Sequence, residues 1–301
     1  VDNSKTKGWG VVEASGAEMW DAWPVIFNGG SKAWLTLLFY PKKFALYRFI
    51  QKNIPKSVDS SAGFRILDVG CGTGASVIEM KKLFPQAEVC GIDVIQLQID
   101  IANARLKEYA TDARVEFYDG LSIPAEDNSV DVIYTSDVLG HVADVPKWLA
   151  ELNRILKPNG ILAMFSESKL GKHAYIRNYL SRRGLNVDPH QEFHISLFSK
   201  NELRALLVDS GFEIKKMYST VWAKFLMHPD ELYPALQSTS QFFILRFLNT
   251  ILYWLKNKIK PVSLAVAEFY SLIEMYTIGR WVESQGYVIL GKKSLDVARD
   301  K

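Results

Sequence analysis

Cysteine is scarce in this chain: Cys71 and Cys90 are the only two among 301 residues. Cys71 falls in a glycine-rich turn and Cys90 in a strand pattern, positions that point to different places, so no disulfide staples the fold. Two buried thiols fit a reducing compartment, and the cytoplasm is the expected location. Metal-ligand spacing is missing as well, and no metal is expected. Charge of one sign is also lacking. The 36 basic and 33 acidic residues leave a net charge of +3, and no basic run rises above background, so composition gives no support to a nucleic-acid partner. Apolar content, in contrast, is 48%, ample for one sizeable core or a core with a cap.

The most informative stretch is Arg65-Ile66-Leu67-Asp68-Val69-Gly70-Cys71-Gly72-Thr73-Gly74. A short apolar strand runs into an acidic residue and then three glycines at alternate positions, and a helical pattern follows from Ala75 to Phe84. Glycine tolerates positive φ and has no Cβ, so the chain can turn sharply there and let a ligand approach its backbone. Strand, glycine turn and helix N-terminus together form a nucleotide-sized pocket at the end of a parallel strand. The spacing separates two ligands. A dinucleotide fingerprint reads G-x-G-x-x-G and receives a pyrophosphate on its helix N-terminus. Here the glycines read G-x-G-x-G, and Asp68 at the mouth suits a cationic group better than a phosphate.

More strand patterns follow at α/β spacing: Val89 to Asp93, Val115 to Gly120, Asp131 to Ser136 and Ile161 to Ser166. Helical patterns run from Gln96 to Ala110 and from Trp148 to Leu156, the second stopped by Lys157-Pro158-Asn159-Gly160. The alternation predicts an α/β fold, doubly wound, with helices on both faces of a mostly parallel sheet. Asp93, at the end of the second strand, can accept hydrogen bonds from both hydroxyls of a ribose.

The glycine motif with Asp68, the acids Asp93 and Asp119, and the phrases Val138-Leu139-Gly140-His141-Val142 and Leu156-Lys157-Pro158-Asn159-Gly160 resemble the class I S-adenosylmethionine (SAM) dependent methyltransferases, in their small-molecule branch. The resemblance covers Gly63 to Ser168 and resumes at His194 to Tyr218 and at Tyr287 to Lys292. It implies a seven-stranded sheet, SAM as cofactor and S-adenosylhomocysteine as product. Carried over residue by residue, it implies that Asp68 takes the SAM amino group and that Gly70, Cys71, Gly72 and Gly74 bed the methionine part on backbone. Asp93 and Val94 fall at the ribose, Asp119, Gly120 and Leu121 at the adenine edge, and Thr135 and Ser136 beside the methionine moiety. Gly140 departs from the pattern, because many relatives carry glutamate there. No Asn-Pro-Pro-aromatic tetrapeptide of the amino-methylating nucleic-acid or glutamine enzymes follows the fourth strand.

His141 follows the fourth strand, near where the methyl should sit, and an imidazole near its working pKa can take a proton from a hydroxyl or an activated carbon. His194 is a second catalytic candidate, in the excursion between the fifth and sixth strands. His190, Tyr175 and Tyr179 in the same excursion are candidate substrate contacts. An amine, a phenolate or a stabilised carbanion would need no base.

The sixth strand reads as Phe212 to Trp222, after a helix from Asn201 to Ser210 that opens with Ser199 and Glu202 as a capping box. The last strand begins at Tyr287. Between them Ala223 to Gly286 is too long for a structureless loop and reads as an apolar helical insertion. In Gln241 to Lys256 the residues Arg246, Asn249, Thr250, Tyr253 and Lys256 fall on one narrow stripe, and apolar side chains cover the rest. The helix is too short, and too interrupted by Arg246, to span a bilayer. A second helix is expected from Val262 to Ile278. Three arrangements fit: packing on the core, a lid over an apolar substrate pocket, or a membrane-surface or homodimer contact through residues 241–278. At the other end Trp9, Trp20, Trp23, Phe27 and Trp34 precede an amphipathic pattern from Trp34 to Ile54 that Pro41 breaks or begins. Those aromatics suit a surface that closes over cofactor, or ordinary core anchors.

The expected division is an N-terminal helical cap at 1–62, a SAM-binding core at 63–222, the insertion at 223–286, and the last strand with a tail at 287–301. The expected activity is methyl transfer to oxygen or carbon of a small, apolar or lipid-like acceptor, by a cytoplasmic protein that can be peripheral at a membrane. Two alternatives differ in class: a non-catalytic SAM-binding partner protein, and an NAD(P)-dependent oxidoreductase.

Overall fold

Seven apolar strand segments assemble into one sheet of order β3-β2-β1-β4-β5-β7-β6. The strands are β1 Arg65–Val69, β2 Glu88–Asp93, β3 Arg114–Phe117, β4 Val130–Ser136, β5 Leu156–Ser166, β6 Phe212–Ser219 and β7 Tyr287–Lys293. The first five pair in parallel, whereas β7 enters antiparallel between β5 and β6. The computed structural model describes residues 22–54, 63–188, 191, 193–220 and 222–295; Trp9, Trp20 and His190 lie outside the described residues.

The helices are α1 Ser31–Leu37, α2 Pro41–Asn53, α3 Ala75–Leu83, α4 Gln96–Glu108, α5 Val145–Ile155, α6 Tyr175–Ser181, α7 Lys200–Asp209, α8 Lys224–Met227, α9 Tyr233–Gln237, α10 Phe243–Lys258 and α11 Val262–Tyr276. Pro41 begins α2 at its first turn, where a missing N–H costs nothing. Ser199 and Glu202 form the expected capping box on α7. One face of the sheet buries Val77 and Ile78 of α3, Tyr47 and Ile50 of α2 and Met275 of α11. The other buries Leu149 and Leu152 of α5 and Leu203 and Leu207 of α7. The chain order reverses between β1 and β4, and in open α/β sheets ligands bind in the crevice at that switch point.

A buried carboxylate ties the N-terminal segment to this switch point. Glu79 of α3 is fully buried. It accepts hydrogen bonds from Val25 N at 2.7 Å, from Lys43 Nζ at 2.8 Å to each oxygen, and from Tyr47 Oη at 2.6 Å. Nearby, Arg105 of α4 donates to Ala22 O at 2.8 Å and to Thr73 Oγ1 at 2.7 Å, and its guanidinium lies over the Trp23 ring. Residues 22–26 are thereby strapped beside the glycine turn.

The insertion is helical, as expected, but its amphipathic helix is turned the other way from a core-packing helix. Asn249 and Lys256 of α10 are buried, while Phe243, Phe247 and Trp254 are 70%, 64% and 55% exposed. The polar stripe finds its partners on the preceding segment. Asn249 Nδ2 donates to Pro229 O at 2.9 Å, Lys256 pairs with Asp230, Thr250 accepts from Gln237, and Tyr253 stacks on Tyr233. Hydrogen bonds thus hold the inward face, and the apolar arc of α10 is left outside, so of the three arrangements the first, packing of that arc on the core, does not hold for α10. Among the described residues no helix is long and apolar enough to cross a membrane.

Removing one partner of a buried charged network leaves the others uncompensated, so Glu79→Ala is expected to cost about 3–5 kcal/mol of folding stability. Urea denaturation measures this directly, and a loss below about 1 kcal/mol would show that Lys43 and Tyr47 do not depend on the carboxylate.

Candidate active site

The turn after β1 satisfies its own amides. Gly70 N and Cys71 N both donate to Ile92 O, at 2.8 and 3.0 Å, and Gly74 N donates to Cys71 O at 3.0 Å. Gly72 N donates to Asp93 Oδ2 at 2.8 Å. None of these four amides is left for a phosphate. Gly70 has φ +78°, and a Cβ there would lie 2.2 Å from Val138 Cγ2, so only glycine fits this bend.

Carboxylates are what the turn presents. Asp68 is buried at the end of β1; Ser76 of α3 donates to its Oδ2, and Oδ1 has no hydrogen-bond partner among the described residues. Burial pushes this carboxyl up to about 7, against the lowering effect of the Ser76 hydroxyl. Asp93, at the end of β2, accepts from Gly72 N and from Ile95 N at 3.0 Å. Burial raises its carboxyl too, and those amides oppose the shift. An orphan buried carboxylate oxygen, a glycine bed without Cβ and a backbone-anchored second acid fit a ligand carrying an ammonium group and a diol.

A cavity of about 730 Å³ opens from this turn. Asp68, Gly70, Cys71, Gly72, Asp93, Val94 and Ser136 line it, as the sequence led one to expect, and Ile95, Gln98 and Tyr118 complete that end. Cys71 contributes main chain; its side chain turns toward Gly91, and burial pushes the thiol well up. Gly74 is the residue before α3, and a Cβ on it would touch Ala102 of α4 at 3.0 Å, so it sets helix packing. Besides Gly74, four expected cofactor residues, Asp119, Gly120, Leu121 and Thr135, are not on the wall. Asp119 is exposed and accepts from Leu121 N and Ser122 N, a turn in which Gly120 and Leu121 also lie, and the neighbouring Tyr118 faces the cavity instead. Thr135 is buried off the wall, because successive strand residues face opposite ways and Ser136 points in.

The far end of the cavity is built from distant segments. His141 lies in the turn after β4, with Nδ1 2.9 Å from Phe193 O. His194 has Nδ1 2.6 Å from Asp188 Oδ2. Both imidazoles line the cavity, with ring centroids 5.2 Å apart. Glu167, just past β5, joins them; burial and then the charge of Asp137 push its carboxyl well above the usual range. Beyond lie Arg177 and Lys224, both paired with Glu231, together with His228 and with Glu268, Ser271 and Met275 of α11.

Tyr175 and Tyr179 are not brought to this chamber. They are 61% and 44% exposed and border a separate shallow depression with Lys172 and Arg183. At 100° per residue, positions 175 and 179 share one face of α6, and Arg177 between them takes the inward one. Glu167, Arg177, Lys224 and Glu231 had no motif to mark them, since each is an isolated charge in the sequence.

The methyltransferase-domain family model matches residues 40–216, more than half of the chain. A demethylmenaquinone methyltransferase of Lactobacillus johnsonii is 27% identical over 179 residues, covering 54% of this chain and 73% of the relative. A sterol 24-C-methyltransferase of Gibberella zeae is 29% identical over 128 residues, covering 42% of this chain and 33% of the relative. The chain therefore spans only a third of one of these relatives. Among solved structures, the YcgJ protein from Bacillus subtilis superposes with a TM-score of 0.51 at 17% identity, covering 83% of this chain and 98% of that one; likeness at that identity speaks for the fold alone. Family match, sheet order and acidic glycine turn fall on the same residues, and the chain belongs to the class I SAM-dependent methyltransferases, with SAM as its cofactor.

Proposed function

We propose that this enzyme methylates oxygen or carbon of a small lipid-like acceptor whose polar end enters the cavity. The observation that carries the reading is α11. Its Glu268, Ser271 and Met275 line the cavity, while its Val262, Val266 and Phe269 are exposed on the outside, continuous in sequence with the exposed apolar arc of α10. A helix with a polar inner and an apolar outer surface suits an acceptor delivered from a lipid surface. The exposed Lys258 and Lys260 at the end of α10 add attraction for anionic headgroups. Relatives named for demethylmenaquinone and sterol substrates point the same way.

SAM supplies a methyl already activated on a sulfonium, so the protein's task is alignment and exclusion of water. In this reading Asp68 holds the ammonium group, Gly70 and Gly72 bed the methionine part, Asp93 accepts from the ribose hydroxyls, and Val94 and Tyr118 flank the base. His141 and His194 work on the acceptor's reacting end. In this reading residues 22–54 and 223–286 cap a cofactor core formed by the described residues between 63 and 220 and completed by 287–295.

Asp93→Ala is expected to weaken SAM binding by about 1–3 kcal/mol, roughly 5- to 150-fold, by calorimetry; unchanged affinity in the folded variant would remove the assignment. Asp68 gives a pH signature. Its carboxyl, raised to about 7, is charged above that pH and protonated below it, and only the charged form attracts an ammonium. SAM affinity therefore falls from about pH 8 to about pH 6 in the native enzyme, and Asp68→Asn flattens that slope; an equal slope in both would assign it elsewhere.

The acceptor class is tested with methyl-labelled SAM and vesicles made from total lipid of the source cells. Enzyme-dependent label in the organic phase, with the protein sedimenting with the vesicles, is the expected result. Label confined to the aqueous phase would leave a polar metabolite or a protein as acceptor and turn the apolar face into a contact with a second copy.

A further inference from the structure

Three electron-pair donors converge at the far end of the cavity. One atom each of His141, Glu167 and His194 lie within 4.8 Å of one another. They come from the turn after β4, the end of β5 and the segment before α7, so no sequence motif joins them.

The hydrogen bonds around the two rings fix what they present. His141 Nδ1 faces a backbone carbonyl, which can only accept, so Nδ1 carries the hydrogen. His194 Nδ1 faces the Asp188 carboxylate and carries its hydrogen for the same reason. In the neutral form each ring then holds its lone pair on Nε2, the form in which imidazole coordinates a metal. A histidine whose other nitrogen donates to a carbonyl or a carboxylate is also the usual outer-shell arrangement of metal sites. Glu167 Oε2 is buried and has no hydrogen-bond partner among the described residues. The backbone at Gly140 borders the same point: a Cβ there would make ordinary contact with His194 Cδ2 at 3.4 Å and Glu167 Oε2 at 3.5 Å.

We infer that His141, Glu167 and His194 form a site for one divalent cation of the zinc or manganese class, with Asp188 as the positioning residue of His194. Two imidazoles and one carboxylate are a donor set such ions accept, and they leave coordination positions for an outside ligand. All three residues line the cavity, so that ligand is an oxygen of the acceptor, and an oxygen held this way loses its proton more readily. The inference rests on the reading of this chamber as the acceptor's and narrows it from oxygen or carbon to oxygen.

The test is cation binding to the whole protein without SAM or acceptor. After dialysis against a chelator, Co2+ is titrated while its visible absorption is followed, and Zn2+ is titrated by calorimetry. One ion per chain is expected, with nitrogen couplings in the pulsed EPR spectrum of the Mn2+ form. Glu167→Gln and His194→Ala should each weaken binding by at least about 100-fold, and Asp188→Asn by about 10- to 100-fold. No saturable binding up to about 100 µM cation, or binding that these substitutions leave unchanged, would overturn the site and assign the cluster a shared proton. If a variant fails to fold, the nitrogen couplings of the native protein decide alone. SAM affinity is measured on the same samples: intact SAM binding with no cation site refutes only this inference, whereas absent SAM binding refutes the cofactor assignments.

Discussion

The turn after β1 can hold a cationic cofactor because it has already used its amides. Ile92 O takes the N–H groups of Gly70 and Cys71, and Asp93 takes that of Gly72. The same contacts lash the end of β1 to the end of β2, so the two acids Asp68 and Asp93 stand at a fixed separation on adjacent strands. A phosphate-binding loop is built in the opposite sense, with its amides turned to the ligand. That difference in hydrogen-bond direction, more than the glycines themselves, separates this turn from a phosphate-binding loop and fits the SAM cofactor of the family.

Around this turn the molecule handles buried charge in two ways. Near the cofactor end, Glu79 is surrounded by donors from the N-terminal segment and α2, and the network is structural. At the far end, Glu231 takes both Arg177 and Lys224, while Glu167, His141 and His194 face one another as acceptors. A neutralised network of this kind holds shape. The cavity thus changes character along its length, from an end built on the backbone of the glycine turn to a far end built from side chains.

The insertion shows how pattern and packing part company. The stripe of Arg246, Asn249, Thr250, Tyr253 and Lys256 is plain in the sequence, and the boundaries of α10 and α11 fall close to those expected. Periodicity says that two faces differ; it does not say which one the rest of the chain will cover. Pro229 O, Asp230, Gln237 and Tyr233 offer hydrogen bonds, charge and stacking to the polar stripe, so the polar face goes in. A broad apolar arc on the outside is unusual for an isolated monomer.

The sequence alone determined the strand and helix order, the doubly wound class, and the glycine turn with Asp68 and Asp93 at successive strand ends. These features are local: a strand, the turn that follows and the helix after it are encoded in adjacent residues, and glycine at positive φ leaves a mark that can be read directly. Even there, strand alternation put Ser136 in and Thr135 out, and a turn moved the wall from Asp119 to Tyr118. Only the tertiary structure decided the far end of the cavity. Glu167, Arg177, Lys224, Glu231 and Glu268 are single charges spread over five segments, and their meaning arises when β5, α6, the insertion and α11 close on one chamber. Coordination, pairing and burial depend on distance in space, which for residues so far apart in the chain is set by the packing of the whole sheet and its caps.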